Sequence, residues 1–391
     1  MSVDKFFFNV HVTDRLLDYF SRNRESDYRK TFMEIGRCEG PAPLEFINQS
    51  VRHLLLLSGM QSSAHGSHRY KSIENFHFGF VDSTRFNAQA TQFEDSSLIL
   101  LNLGLLFRLY HFCNLLMSCS DVFPEIGASS NERLRSEDLV DLIVPLLGGL
   151  DSEGLQYPDG DMGYYLPARG PACPARWEYG WHLYVCAIFF IFSHEAAHHK
   201  RKHFSVARAH KFAVNDLMEV ESRSKLIHDV EFLQLMRALE FDADGTALAF
   251  ILKFGRKAFS AEFSFYSEQE FLKILARGTA IILRCIDGLH PRIASDEQSS
   301  HPLPSLRATP TYISAALRST RPRNIKDACW SEFLGHYTEQ YDATSAMWKA
   351  IGIFSDNLSK ATWLRDQIGT LQSTARNVVH SGKTRASGTS K

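Results

Sequence analysis

The sequence lacks the features that would place the chain in several common classes of protein. Lys plus Arg (43) and Asp plus Glu (44) nearly cancel over 391 residues. No excess of one charge therefore drives the chain toward nucleic acid or an anionic membrane. We also find no internal repeat, no phosphate-binding loop, no dinucleotide fingerprint and no G-x-S-x-G elbow. These absences argue against a nucleic-acid-binding protein, a repeat protein and the commonest nucleotide-dependent enzymes.

Paired cysteines, a leader segment and membrane-spanning runs are lacking as well. The seven cysteines are scattered and none forms a CxxC pair, which disfavours a disulfide framework and indicates a reducing compartment. The N-terminal segment has an early Asp4 and no long apolar core, unlike a secretory signal. The longest apolar run, Leu183 to Phe192, is shorter than the roughly 20 residues of a membrane helix. We therefore expect a cytoplasmic protein without a membrane span.

Composition and length together indicate one folded unit with a short polar tail. Apolar residues make up 44% of the chain and charged residues 22%, as in ordinary globular proteins. Length alone would allow two or three domains at about 150 residues each, but no shift in composition marks a boundary. We predict a single α-rich domain over residues 1–372, with a motif-bearing core at about 80–310. A disordered basic tail is predicted over residues 373–391.

The pattern of apolar residues predicts an α+β fold that is predominantly α-helical. Short β-prone stretches precede a series of longer patterns with helical spacing. The strands are predicted at Phe76 to Val81, Phe86 to Thr91 and Ser97 to Asn102, and the helices at Gly104 to Cys119, Trp177 to Lys202, Ser224 to Phe254, Phe271 to Ile286 and Tyr312 to Gln372. A Gly- and Pro-rich loop, residues 151–174, precedes the second of these helices, and such long loops are usually functional or linkers.

The segment His194-Glu195-Ala196-Ala197-His198 carries the strongest chemical signal. On a helix, residues four apart lie on one face, so the two imidazoles could hold one Zn²⁺. Glu195 lies one step round the helix, where it could take a proton from a water that the metal activates. Chance alone gives such a motif about once in 25 chains of this composition. The apolar run before His194 nevertheless predicts a buried helix, where unpaired polar groups would be costly.

A second pair of histidines has the same spacing. His199 and His203 are also four apart, but no Glu follows the first of them and they flank the Lys200 to Lys202 basic run. We interpret this pair as an exposed face, or as a face that supports the metal ligands from outside.

A third protein ligand is predicted on the next long helix. A catalytic zinc of this kind needs three protein ligands and one open position. In the segment RALEFDADGTAL, Glu240 and Asp244 are four apart and share a helix face, from which Asp242 points away. Glu240 is predicted to bind the metal, and Asp244 to accept the free N–H of a ligating imidazole. The alternative is an acidic helix face paired with lysines.

HEAAH followed by a helical Glu-x-x-x-Asp resembles the gluzincin metallopeptidases. It is similar to the group of the CAAX prenyl protease and the HtpX-type heat-shock proteases. Because the chain lacks the transmembrane helices of the membrane-embedded members, it most resembles the soluble phage-exclusion peptidases typified by Lit. The resemblance implies a gluzincin-like core with a small sheet, whose edge strand lies above a zinc-binding helix. It also implies one Zn²⁺ per chain and a function in phage defence.

Two further segments resemble elements of the same group. Asn87-Ala88-Gln89-Ala90, followed by SLILLNLGLL, is similar to its edge strand, and the resemblance implies that these four residues bind an extended peptide substrate. Ser300-His301-Pro302, followed by Arg307, resembles a late element whose His and Arg approach the metal and steady the transition state. A buried strand whose Asn caps a turn, and a His and an Arg on the surface, are the alternatives.

The residues and the resemblance together predict a zinc-dependent endopeptidase that acts on a cytoplasmic protein. His194, His198 and Glu240 are the expected metal ligands, and Glu195 is the expected general base. His301 and Arg307 are expected to stabilise the oxyanion. A catalytically retired scaffold that serves as an interaction module, and a zinc hydrolase of non-peptide amides, are the competing hypotheses. Oligomeric state and substrate identity cannot be predicted from the sequence.

Overall fold

The structure of the chain is a computed structural model that describes residues 76–81, 86–93, 96–139, 170–210, 216–218, 230–258, 263–289, 304–320, 327–350 and 366–377. The first 75 residues and most of the loop at 151–174 lie outside these residues.

The described residues form a helix-dominated α+β fold, as predicted. The strands are β1 (Phe76–Val81), β2 (Ala88–Phe93) and β3 (Ser96–Asn102), with β4 (Asp216–Met218) later in the chain. The helices are α1 (Leu103–Met117), α2 (Pro174–Lys200), α3 (His203–Ala209), α4 (Val230–Ala258), α5 (Glu268–Leu289), α6 (Pro304–Arg307), α7 (Pro310–Thr320), α8 (Asp327–Ala350) and α9 (366–377). Short 3₁₀ turns lie at Ser129–Asn131 and Ser136–Asp138.

The four strands form one mixed sheet in the order β1-β3-β2-β4. Strand β3 pairs with β1 in parallel and with β2 antiparallel, and β4 pairs with Gln89, Ala90 and Thr91 of β2. The prediction of an edge strand at residues 87–90 is therefore wrong for the described sheet, whose edges are β1 and β4. Asn87, Ala88, Gln89 and Ala90 are all buried. The sequence did not reveal this because β4 is only three residues long and carries no alternating pattern.

Helix α2 is the central element of the core. It begins with Pro174 in its first turn, a position at which proline has no hydrogen bond to lose. Its apolar run, Leu183 to Phe192, is buried on every side, as expected for a helix that is apolar around its whole circumference. Helices α1, α4 and α5 pack against it. The run that is too short for a bilayer thus forms the middle of a helical core.

Two glycines allow helices to approach each other closely at this core. A Cβ on Gly278 of α5 would lie 2.7 Å from Cys186 Cβ and 2.8 Å from the Leu183 carbonyl oxygen of α2. A Cβ on Gly245 of α4 would collide with the Ala316 carbonyl oxygen of α7. The second contact lies next to Asp244, so it sets the distance between α7 and the predicted metal-binding face of α4.

Two regions differ from the predicted secondary structure near the C-terminus. Residues 366–377 form one helix in which Ala375 is buried, so 373–377 belong to the packed structure and not to a disordered tail. A short helix that was not predicted, α6, lies between the helices predicted at Phe271 to Ile286 and Tyr312 to Gln372, and it carries Arg307. In both places, contacts with the core stabilise helical turns that polar composition disfavours.

None of the helices within the described ranges combines the length and apolar character that a bilayer crossing requires. None of the cysteines in those ranges forms a disulfide.

Candidate metal centre

The HEAAH segment forms the C-terminal end of α2, at the depth of the core. His194, Glu195 and His198 are each only 1% exposed. The rings of His194 and His198 lie edge to face, with their centroids 4.8 Å apart. The helix ends at Lys200, and Lys202 then takes a left-handed conformation with φ of 60°. This left-handed conformation, which L-residues seldom adopt, turns the chain sharply, and α3 begins at His203.

Helix α4 brings a carboxylate to the two imidazoles. Glu240 Oε2 lies 3.0 Å from His194 Nε2, and Glu240 Oε1 lies 3.5 Å from His198 Nε2. The two Nε2 atoms are 3.1 Å apart. One ligand atom from each of these three buried residues lies within 4.8 Å of the others. The group could therefore hold a metal ion.

The opposite nitrogen of His194 is held by a second carboxylate of α4. Asp244 Oδ1 lies 2.9 Å from His194 Nδ1. The same carboxylate accepts two hydrogen bonds from Arg307 and one, at 2.8 Å, from the Tyr312 hydroxyl. Burial would raise the pKa of Asp244, but Arg307 and His194 hold this pKa below its ordinary value. Asp244 is therefore an ionised acceptor at neutral pH.

These hydrogen bonds determine what faces the space between the three ligands. Asp244 accepts, so the proton of its contact belongs to His194 Nδ1, and in the singly protonated form of His194 the lone pair lies on Nε2. Burial holds the pKa of His198 well below its ordinary value, so that imidazole is neutral. Two lone-pair nitrogens and a carboxylate at 3.0–3.5 Å repel one another unless a cation lies among them. One added proton would relieve the repulsion in a single contact, whereas a divalent metal could bind all three donor atoms.

Behind His198 lies a further chain of side chains. His203 Nδ1 is 2.9 Å from His198 Nδ1, and His203 Nε2 is 3.0 Å from Asp242 Oδ2. Arg201 donates to both oxygens of Asp242, at 2.7 and 2.8 Å. Burial would raise the pKa of Asp242, but the bonds from His203 and Arg201 lower it to about 2.

His199 connects the helix to the sheet instead of facing the metal ligands. Its Nε2 donates to the Leu98 carbonyl oxygen of β3 at 3.1 Å, and its ring stacks on Phe204. Burial lowers the pKa of His199 to about 4, so the ring is neutral at pH 7. Both His199 and His203 are buried, so of the two alternatives the exposed face is wrong. His203 contacts a candidate metal ligand, His198, from outside, whereas His199 bonds the sheet.

The other residues implied by the resemblance have different positions. Arg307 was expected to stabilise the oxyanion; its guanidinium is fully buried and bonds Asp244, the carboxylate that contacts His194. Ala90 packs among apolar residues of α3 and α4, and the Gln89 amide bonds Thr91 within its own strand. His301 lies outside the described residues.

Sequence reasoning missed three residues around the site and left the place of His203 open. Tyr312 and Arg201 carried no distinguishing pattern, Asp242 was predicted to point away, and the spacing of His203 from His198 is five residues. On an uninterrupted helix that spacing puts two side chains on different faces. A left-handed Lys202 brings them together, and no sequence rule predicts that conformation for a lysine.

No protein-family model, no curated protein and no solved structure matches this chain. Any assignment therefore depends on the motifs and on the geometry of the site.

Proposed function

We propose that the chain is a zinc-dependent endopeptidase in which His194, His198 and Glu240 hold the metal. The supporting observation is that these three donors converge within 4.8 Å in the core. Two imidazole nitrogens and one carboxylate oxygen are a ligand set that suits zinc, and three protein ligands leave a fourth position open for chemistry. Glu195 is buried and follows His194 directly in the sequence. It would supply a base that a purely structural metal site does not need.

The proposed roles follow from the positions of the side chains. Zinc bound there would supply Lewis acidity toward a water and the scissile carbonyl. Glu195 would accept a proton from the attacking water and return it to the leaving amine nitrogen. Asp244 would hold His194 with its Nδ1 protonated and its Nε2 directed at the ligand group. His301 remains the proposed oxyanion donor, on the strength of the resemblance alone.

The substrate class is also proposed from the resemblance. The gluzincin motifs favour a peptide bond in a folded or extended protein, and the similarity to phage-exclusion peptidases favours a cytoplasmic target in phage defence. A gluzincin-like core is part of the same proposal. Its support is the order of the motifs along the chain, HEAAH before Glu240 and Asp244, together with a sheet that contacts α2.

The decisive experiment replaces the proposed base without touching the ligands. Glu195→Gln should retain about one zinc per chain and lose cleavage, while His194→Ala should lose the metal. Glu178→Gln, an exposed position on the same helix, is the matched control and should resemble the wild type in both respects. The measurements are metal content of purified protein and N-terminal proteomics of expressing cells. Full cleavage by Glu195→Gln would remove the proposed mechanism.

A retired peptidase scaffold that binds other proteins is the second candidate. The observation that favours it is enclosure: the ligands and Glu195 are about 1% exposed, and β4 occupies the outer side of β2. A peptide could not reach the site without some rearrangement. Identical sets of protein fragments in cells that express wild type and Glu195→Gln would favour this interaction module.

A further inference from the structure

The side chains behind His198 form a continuous hydrogen-bonded chain that the proposed reaction does not use. It runs from His198 Nδ1 to His203, from His203 to Asp242, and from Asp242 to Arg201. His203 is completely buried, Asp242 is 4% exposed, and the Arg201 side chain is 30% exposed. We call His203, Asp242 and Arg201 the relay.

The direction of each hydrogen bond in the relay follows from its charged end. Asp242 is a carboxylate bonded by Arg201, so it can only accept, and His203 Nε2 must donate to it. In the tautomer of His203 that carries its one ring proton on Nε2 the lone pair lies on Nδ1, so the proton in the 2.9 Å contact belongs to His198 Nδ1. His198 is left with an unprotonated Nε2, which faces Glu240 and His194.

From this geometry we infer that His203 is a positioning residue for the metal: it transmits the charge of Asp242 to His198 and fixes the tautomer in which His198 Nε2 can bind zinc. The inference depends on the metal site of the proposed function and deepens it. His203 touches neither substrate nor metal, and it acts only through His198. A hydrogen-bonded acceptor behind a ligating imidazole makes that imidazole a stronger donor and restricts its rotation.

The two ligating histidines are supported unequally. His194 contacts a carboxylate directly, whereas His198 contacts an imidazole that is itself backed by a carboxylate. Both carboxylates come from α4, where Asp242 and Asp244 follow the ligand Glu240 by two and four residues. The turn at Lys202 makes the longer arrangement possible because it folds His203 back onto His198. The relay therefore connects the end of α2 to α4 behind His198.

The test measures zinc affinity and does not depend on proteolysis. His203→Phe removes both hydrogen bonds and keeps a ring of similar size, and Asp242→Asn removes the charge with little change of shape. The control is His182→Phe, which replaces another buried histidine of α2, one that bonds the Tyr266 hydroxyl at 2.9 Å. Zinc dissociation constants would be measured by competition with a chromophoric chelator. The absorption spectrum of the cobalt-substituted protein would report the ligand geometry.

We expect His203→Phe to weaken zinc binding by about 10–100-fold, the usual effect of losing a hydrogen bond behind a ligand. Asp242→Asn should weaken binding by a smaller factor, and both variants should alter the cobalt spectrum. His182→Phe should leave affinity and spectrum unchanged. If His203→Phe does not fold, Asp242→Asn carries the comparison.

The possible failures are distinguishable. Wild-type affinity and an unchanged cobalt spectrum in both relay variants would overturn the inference and leave the peptidase proposal intact. A wild-type protein that binds zinc but cleaves nothing would overturn the proposed function and leave the relay standing. A wild type that binds no zinc would remove both, and the wild-type titration shows this directly.

Discussion

The guanidinium of Arg307 bonds both carboxylate oxygens of Asp244, through Nε at 2.9 Å and Nη2 at 2.7 Å. Both side chains are buried, with Arg307 only 1% exposed and Asp244 fully enclosed. The pair joins α6 to α4 directly behind His194, so it connects the stability of the fold to the orientation of a proposed metal ligand. A buried pair of this kind adds modest net stability when intact but is costly to break.

Arg307→Ala should destabilise the protein and weaken zinc binding together. It leaves the Asp244 charge buried with only Tyr312 and His194 as partners, and the expected loss is about 3–5 kcal/mol of unfolding free energy. Chemical denaturation and zinc competition would measure the two effects. Arg318→Ala, at an exposed position on α7, is the control and should change neither. An Arg307→Ala protein with wild-type stability would contradict the interpretation of this contact.

Removal of the metal should lower the stability of the wild type but not that of a ligand variant. Zinc bound only by the native state stabilises it by about 2.7 kcal/mol at a free concentration 100 times the Kd. EDTA should therefore lower the Tm of the wild type by several degrees, and added zinc should restore it. His194→Ala should show no such response. An equal change of Tm in both proteins would show that zinc stabilises the chain at another site.

A buried arginine, Arg176, holds the start of α2 chiefly through main-chain oxygens, and its Nε also lies 3.7 Å from Glu132 Oε1. Its guanidinium donates to five carbonyl oxygens at 2.7–3.0 Å, those of Met117, Cys119, Val122, Phe123 and Ile126. All five of its N–H donors are thus used. Arg176→Lys keeps the charge but offers only three donors, and we expect it to cost about 3 kcal/mol or more of unfolding free energy.

Chemical denaturation would test this prediction for Arg176. Arg133→Lys, at an exposed position nearby, is the matched control and should be neutral. A loss below about 0.5 kcal/mol in Arg176→Lys would show that water replaces the missing donors.

The parts of the site that depend on local spacing were accessible from the sequence. His194 and His198 share a face because helical geometry alone requires it, and the central helix was predicted within a few residues of α2. Glu240 and Asp244 required only the further assumption that the next long helix packs against the first. The general α+β character followed from short alternating stretches that precede longer helical ones.

The remaining features depend on tertiary contacts or on backbone conformations that residue type does not determine. Strand β4 forms because a distant segment pairs with β2, and three residues are too few to show a pattern. The turn at Lys202 requires a left-handed lysine, and glycine or asparagine is the usual signal for that conformation. The edge strand was predicted wrongly because it came from a resemblance that says nothing about the pairing with β4. The same resemblance gave no indication of the bond between Arg307 and Asp244.

The stability of the protein should fall below neutral pH partly through His182. This histidine is buried on α2, where burial lowers its pKa to about 4, below the ordinary value of about 6.5. The unfolded chain therefore binds a proton more readily than the folded one. The stabilising effect is complete above about pH 6.5 and is lost progressively as the pH falls toward 4, with a total of up to about 3 kcal/mol.

The contribution of His182 can be isolated by comparing two proteins. Denaturation of wild type and His182→Phe between pH 7 and pH 4, both in EDTA, should show a shallower loss of stability in the variant. The comparison removes the contributions of the other histidines because they are common to both proteins. Parallel curves would mean that His182 keeps an ordinary pKa in the folded state.

Gly245 should tolerate no side chain, although it lies within a helix. A Cβ there would collide with the Ala316 carbonyl oxygen and would approach Thr320 Oγ1 to 2.6 Å. Gly245→Ala must therefore push α7 away from α4, at a cost of about 1–3 kcal/mol. Because α7 carries Tyr312, which bonds Asp244, zinc affinity should fall as well.

The control is Gly335→Ala on α8, where a Cβ meets nothing within 4 Å. This variant should instead stabilise the protein by about 0.5–1 kcal/mol. Denaturation would measure the change in the free energy of unfolding in both variants. Changes of opposite sign would establish that close helix packing, and not helix propensity, selects glycine at position 245. A stabilised Gly245→Ala would exclude that explanation.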